Sequence, residues 1–164
     1  MGEPNLERSL LWLNDLAPGQ VFESGSRTIT RDEIVSFAAM FDPQPFHLDE
    51  EAAKVSLFNG LAASGIHTFG ASVRLLLDST FYLANGLIST GGEIQWRKPV
   101  RPGDVLRLRI QISDVAADPD SDRGIVTLKV ETLNQNGEVV QTFVPRIVAF
   151  KKPRDEFPAS QRDS

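Results

Sequence analysis

Gly65-Ile66-His67-Thr68-Phe69-Gly70-Ala71-Ser72-Val73-Arg74-Leu75-Leu76-Leu77 is the stretch on which the fold of this chain turns. Ile66, Phe69, Val73, Leu76 and Leu77 recur at helical spacing, which predicts a long helix from Gly65 or Ile66 with one apolar stripe. Gly70, Ala71 and Ser72 are small enough to let another element pack very close. The stripe reads as core.

Everything after this helix reads as strand. Leu106, Leu108, Ile110 and Ile112 alternate with Arg107, Arg109 and Gln111, the pattern of a half-buried antiparallel strand. Val126, Leu128 and Val130 alternate with Thr127, Lys129 and Glu131 in the same way. Asn136-Gly137 signals a hairpin, and residues 139–150 return as a further strand in which Pro145 implies a bulge or an edge position. Residues 91–100 form another strand, closed by the turn Arg101-Pro102-Gly103-Asp104. The polar run 116–122 is an exposed loop.

Ahead of the helix, residues 1–15 read as a loose lead-in and Pro18-Gly19 as a turn. Val21, Phe22, Thr28 and Ile29 mark a first strand broken at Ser24-Gly25-Ser26. Thr30 and Glu33 have the spacing of a capping box, and Ile34, Phe37, Ala38 and Phe41 continue a short helix from it. One domain over 16–151 is therefore expected, with a disordered tail over 152–164. The class is α+β, an antiparallel sheet with helices on one face. A long central helix wrapped by a curved sheet is the hot-dog arrangement.

The first helix delivers the chain into Asp42-Pro43-Gln44-Pro45-Phe46-His47-Leu48-Asp49. Proline fixes its own φ and pushes the residue before it out of the helical region, so the arm is expected to be extended and rigid. It carries a carboxylate and an imidazole five positions apart, the usual equipment for moving protons near neutral pH. The same residues also fit a plain turn at Asp42-Pro43, and Asp49 before Glu50 and Glu51 fits a helix N-cap.

Composition narrows the function classes. With 17 Lys and Arg against 22 Asp and Glu, the net charge of −5 argues against a nucleic-acid surface. There is no cysteine, which excludes a disulfide framework, a thiolate metal site and a cysteine nucleophile. Two histidines are too few for most zinc sites, so no metal is expected. Met1-Gly2-Glu3-Pro4 lacks the basic and apolar regions of a secretory signal, and no apolar run approaches a membrane span. The expectation is a cytoplasmic protein with no membrane partner.

The arm resembles the D-x-N-P-x-H-x-D segment of MaoC-like dehydratases and (R)-specific enoyl-CoA hydratases. Ile34-Val35-Ser36-Phe37-Ala38 before it and Ala52 after it also fit that family. Ala63-Ser64-Gly65 stands where the family has a His-Gly pair, and the segment from Trp96 to Asp104 is similar to its late strand and turn. The resemblance covers roughly residues 16–150. It implies a hot-dog fold, a homodimer or dimer of dimers, no cofactor, and syn addition of water to a trans-2-enoyl-CoA. Asp42 and His47 match the catalytic pair and Gly65 the oxyanion-binding glycine. Gln44, Ser64, His67 and Ser72 fall where substrate would be bound. Gln44 replaces the family's Asn, Ser64 its His, and Val73 a helix serine, with Ser72 adjacent. A hot-dog thioesterase and a non-catalytic acyl-CoA-binding protein are the alternatives. The thioesterase would not need the Asp42–His47 arm.

Overall fold

Leu106, Leu108, Ile110 and Ile112 are all fully buried, as are Val126, Leu128 and Val130. The period-2 patterns therefore form one continuous apolar sheet face. Each such side chain contributes about 1.5–3 kcal/mol on leaving water. A computed structural model of the chain describes residues 9–153. Its elements are a 3-10 turn at Leu13–Asp15, β1 Val21–Thr28, α1 Arg31–Phe41, α2 Pro45–Leu48, α3 Glu50–Lys54, α4 Gly65–Leu77, β2 Ile88–Trp96, β3 Val105–Ala117, β4 Arg123–Leu133 and β5 Val139–Phe150. The five strands form a single antiparallel sheet in the order β1-β3-β4-β5-β2. The sheet curves around α4, which is the hot-dog fold. No helix among the described residues is long and apolar enough to cross a membrane.

The lead-in is less loose than its composition implies. Leu11 bridges to Leu83, its N–H donating to the Tyr82 carbonyl at 2.8 Å, while Leu13 and Leu16 are buried. Residues 1–8 and the remainder of the expected disordered tail, 154–164, lie outside the described residues.

The central helix buries only part of its apolar stripe: Leu76 is buried and Phe69 packs edge-on against Phe143 of β5. His67, Thr68, Ala71, Ser72, Leu75 and Leu76 are buried, whereas Ile66 is 55% and Leu77 41% exposed. Ser72 Oγ lies 2.8 Å from Thr132 Oγ1 on β4 and receives Gln141 Nε2 of β5 at 3.1 Å. Leu75 and Leu76 share this buried side with Ala71 and Ser72, while Ile66 and Leu77 lie at its margins.

Two strand readings also change. Pro145 is neither at an edge nor in a bulge: β5 lies between β4 and β2. Ladder pairs to β4 stop at Thr127↔Arg146 and resume at Val130↔Phe143, so the missing N–H falls in an unpaired gap. On its other side Pro145 faces Gly92, where a Cβ would come within 2.8 Å of the proline Cα. The second strand spans Ile88–Trp96 rather than 91–100, because Arg97 and Lys98 both direct their N–H groups to the Val140 carbonyl. Apart from Ile94, the β2 residues are exposed.

Turn chemistry follows the sequence. Gly103 has φ +87° in the Arg101–Asp104 turn and Gly137 φ +75° in the β4–β5 hairpin, conformations that favour glycine.

Candidate active site

The site begins with a helix end. Thr30 Oγ1 accepts the Glu33 N–H at 3.2 Å and Glu33 Oε2 accepts the Thr30 N–H at 3.0 Å, so the capping box sets the start of α1. The helix runs eleven residues, to Phe41, and Pro43 prevents its continuation. Asp42 leaves the helix at φ −152°, ψ 67°, and Gln44 is extended at φ −86°, ψ 143°, as residues before proline are. The arm is not extended throughout. Pro45 opens a single helical turn, Pro45–Leu48, because its fixed φ suits the first helical position. That turn folds His47 back into the protein, where it is 4% exposed.

His47 Nδ1 lies 2.7 Å from the Ala62 carbonyl oxygen. A carbonyl can only accept, so Nδ1 carries the hydrogen, and in the neutral ring Nε2 bears the lone pair. Nε2 lies 3.4 Å from Asp42 Oδ2. Phe46 packs edge-on against the imidazole at 4.6 Å, and Phe58 lies tilted at 5.8 Å. The ring is thus fixed in plane, tautomer and direction.

Asp42 is held by its neighbours on both oxygens. Ser64 Oγ donates to Oδ2 at 2.7 Å and Gln44 Nε2 to Oδ1 at 2.7 Å. The Ser64 hydroxyl, followed by the Gln44 amide and the His47 charge, holds the carboxyl below the usual aspartate range against the opposing effect of burial. Ser64 has a second task as the N-cap of α4, its Oγ accepting the Ile66 N–H at 3.3 Å.

Gly65 starts α4, and its N–H has no hydrogen-bond partner among the described residues. It lies at the positive end of the helix dipole. Trp96 explains why no larger residue fits: a Cβ at position 65 would come within 2.6 Å of the indole ring, whose Nε1–H donates to the Gly65 carbonyl at 2.9 Å.

These groups open on a cleft of about 460 Å³. Asp42, Gln44, His47, Ser64 and Gly65 all line it; His67 and Ser72 do not. His67 stacks on Phe37 at 4.8 Å, with Nδ1 buried and without a hydrogen-bond partner among the described residues. Ser72 is buried under α4 against Thr132 and Gln141. Sequence reasoning missed Trp96, Phe58 and the Ala62 carbonyl. A carbonyl has no sequence signature, and Trp96 reads as an ordinary strand residue until the sheet brings it over Gly65.

The cleft has relatives. A MaoC-like dehydratase structure from Rhodospirillum rubrum superposes with a TM-score of 0.85 at 48% identity, over 88% of this chain and 99% of that one. An uncharacterised Bacillus subtilis protein, YdeM, is 36% identical over 124 residues, 75% of this chain and 87% of its own length. The 3-hydroxybutyryl-CoA dehydratase of Methylorubrum extorquens is 27% identical over 110 residues, 66% of this chain and 68% of that enzyme. Residues 14–134 match the MaoC like domain, a span that encloses every residue lining the cleft. The arm, the start of α4 and strands β1 to β4 all lie within that span, and the chain belongs to the MaoC-like domain family.

Proposed function

We propose that this protein is a hydratase/dehydratase for acyl-CoA, adding water reversibly and syn across a trans-2-enoyl thioester. The observation that carries the reading is the Asp42–His47 pair: Nε2 faces Oδ2 across 3.4 Å at the wall of an open cleft, with Nδ1 tied back to Ala62. A water held by both groups stands ready to attack C3. His47 Nε2 takes a proton from that water as its oxygen bonds to C3. The π electrons move toward the thioester oxygen, giving an enolate. His47 then returns the proton to C2 on the same face, so water adds in full and the imidazole is regenerated.

His47 is the better base of the two. Its Nε2 keeps a free lone pair, because Nδ1 carries the hydrogen, whereas both Asp42 oxygens already accept hydrogen bonds from Ser64 and Gln44. Asp42 orients the water and stabilises the imidazolium. The unpartnered Gly65 N–H at the helix start is the donor for the developing oxyanion, a contact typically worth about 10²–10³ in rate. Gln44 and Ser64 act through Asp42. His67 and Ser72 lie outside the cleft lining, His67 against Phe37 and Ser72 against Thr132 and Gln141.

The same reading includes a homodimer. β2 is an exposed edge strand, and Ile66 and Trp96 beside the cleft are each 55% exposed, surfaces that pairing with a second copy would cover. Sedimentation at micromolar concentration should give twice the chain mass.

The activity test is direct. Purified protein given crotonyl-CoA should consume the conjugated enoyl thioester without releasing free thiol. Thiol release from saturated acyl-CoA, with no hydration, would instead make it a thioesterase. Neither activity, with acyl-CoA still bound, would make it a binding protein.

A further inference from the structure

Arg101 lies outside the catalytic pair, yet its guanidinium is committed to the segment that orients His47. Nη1 donates to the Gly60 carbonyl at 2.7 Å and to the Leu61 carbonyl at 3.1 Å, and Nη2 donates to the Phe58 carbonyl. Three backbone acceptors for one cation is an unusual use of arginine, whose planar fork more often meets carboxylates. The backbone explains it. Asn59 has φ 53° and Gly60 φ 143°, so this loop follows neither helix nor strand and no ladder can take its carbonyls. Arg101 fills that need from one side.

The base of the clamp is itself anchored. The Arg101 N–H donates to Asp104 Oδ2 at 2.7 Å, and Asp104 in turn gives its carbonyl to the Ile29 N–H at 2.8 Å and its Oδ1 to Gln135 Nε2 at 2.9 Å. The turn that follows Val100 is thereby fixed to the sheet. One residue beyond the clamped carbonyls comes Ala62, whose oxygen takes the His47 Nδ1 hydrogen. Ala63 is secured next, its N–H donating to the Val100 carbonyl at 2.9 Å. Phe58, whose carbonyl Arg101 also holds, places its ring 5.0 Å from Phe46 and beside the imidazole.

We infer that Arg101 is a positioning residue that holds His47 in its Nδ1–H tautomer, by fixing the 58–62 segment whose last carbonyl accepts that hydrogen. The alternative tautomer would put a hydrogen on Nε2 and leave no lone pair for the water. The inference rests on His47 being the proton-transfer group, but its primary readout does not require substrate.

The test is Arg101→Met in the full chain, with Arg101→Lys beside it. Nitrogen-15 correlation spectra of the ligand-free protein in alkaline solution, where imidazoles are neutral, report which nitrogen of His47 bears hydrogen. Wild type should show Nδ1–H alone. Arg101→Met should show a mixture of tautomers, and kcat for enoyl thioester hydration should fall roughly 10- to 100-fold with KM little changed, as a misplaced catalytic group does. Arg101→Lys, a point cation that cannot span three carbonyls, should lie between the two in both measurements. An unchanged tautomer in Arg101→Met overturns the inference. If that variant does not fold, an unchanged tautomer in Arg101→Lys overturns it equally. Should wild type hydrate no enoyl thioester, the proposed activity fails, and the tautomer spectra still decide the role of Arg101.

Discussion

Ser64 Oγ donates to Asp42 Oδ2 at 2.7 Å, the same carboxylate oxygen that lies 3.4 Å from His47 Nε2. One hydroxyl thus joins the start of α4 to the end of α1 and holds the Asp42 carboxyl below the usual aspartate range. Removing it in Ser64→Ala should let the Asp42 pKa rise toward the ordinary value of ~3.9. The sign of the linked stability follows. A carboxyl whose folded pKa is depressed contributes stability above its unfolded pKa and loses it as pH falls through the folded value. The melting-temperature gap between wild type and Ser64→Ala should therefore be constant near neutral pH and narrow in strong acid. A carbon-13 titration of the Asp42 carboxyl that shows no upward shift would refute the assignment. Part of the gap will come from the lost N-cap, typically about 1 kcal/mol, and that part does not depend on pH.

Asp42→Asn and His47→Ala should each lower hydratase kcat by about 10²-fold or more, the contribution expected of a positioned proton-transfer group. Because both hold one water, the double variant should be little slower than the worse single variant. Multiplicative losses in kinetic assays would mean that the two act in separate steps.

The proposed oxyanion role of Gly65 needs a test designed around Trp96. A proline at 65 would delete the N–H, but a Cβ there comes within 2.6 Å of the indole, so misplacement of Trp96 would confuse the result. Trp96→Ala makes the room first. Gly65→Pro in that background should then lower kcat by a further ~10²-fold, with a smaller change in KM, as loss of a transition-state donor requires. Proline is tolerated at the first helical position, and circular dichroism should confirm that α4 survives. A raised KM at unchanged kcat would make Gly65 a binding residue instead.

Much of this was legible in the sequence for identifiable reasons. Strands β3 and β4 announced themselves because one face is buried and the other is wet, so burial and polarity alternate together. The Thr30–Glu33 box and the Asp42–His47 spacing were legible because capping and proline effects are local. The face of α4 was legible only in part. Leu76 and Phe69 pack as the stripe indicates, but the buried side also takes in His67 and Ser72, whose partners Phe37, Thr132 and Gln141 lie on other elements. The lead-in failed for a similar reason: Leu11 finds its partner at Leu83, seventy-two positions away. Trp96, Arg101 and the Ala62 carbonyl act on residues far along the chain, and no local pattern marks them.

His67 provides the last prediction, because its position two residues beyond Gly65 invites a catalytic reading. The residue is 8% exposed, its ring stacked on Phe37, with Nδ1 unpartnered among the described residues. Burial, aided by the Arg27 charge and opposed by Glu33, lowers its pKa from the usual histidine value. The unfolded chain takes up this proton near ~6.5. Between that value and the lower folded pKa, the unfolded state binds more protons than the native state, so stability falls as pH drops through the window. Above it the native state carries no such cost. His67→Phe keeps a ring against Phe37 and removes the titration. Its melting temperature should therefore fall less than that of wild type between neutral and mildly acidic pH, while hydratase kcat at neutral pH stays near wild type. Parallel melting curves across that range check the first part. A loss of kcat of about 10²-fold, the size expected of a general acid or base, would instead place the His67 ring in the chemistry.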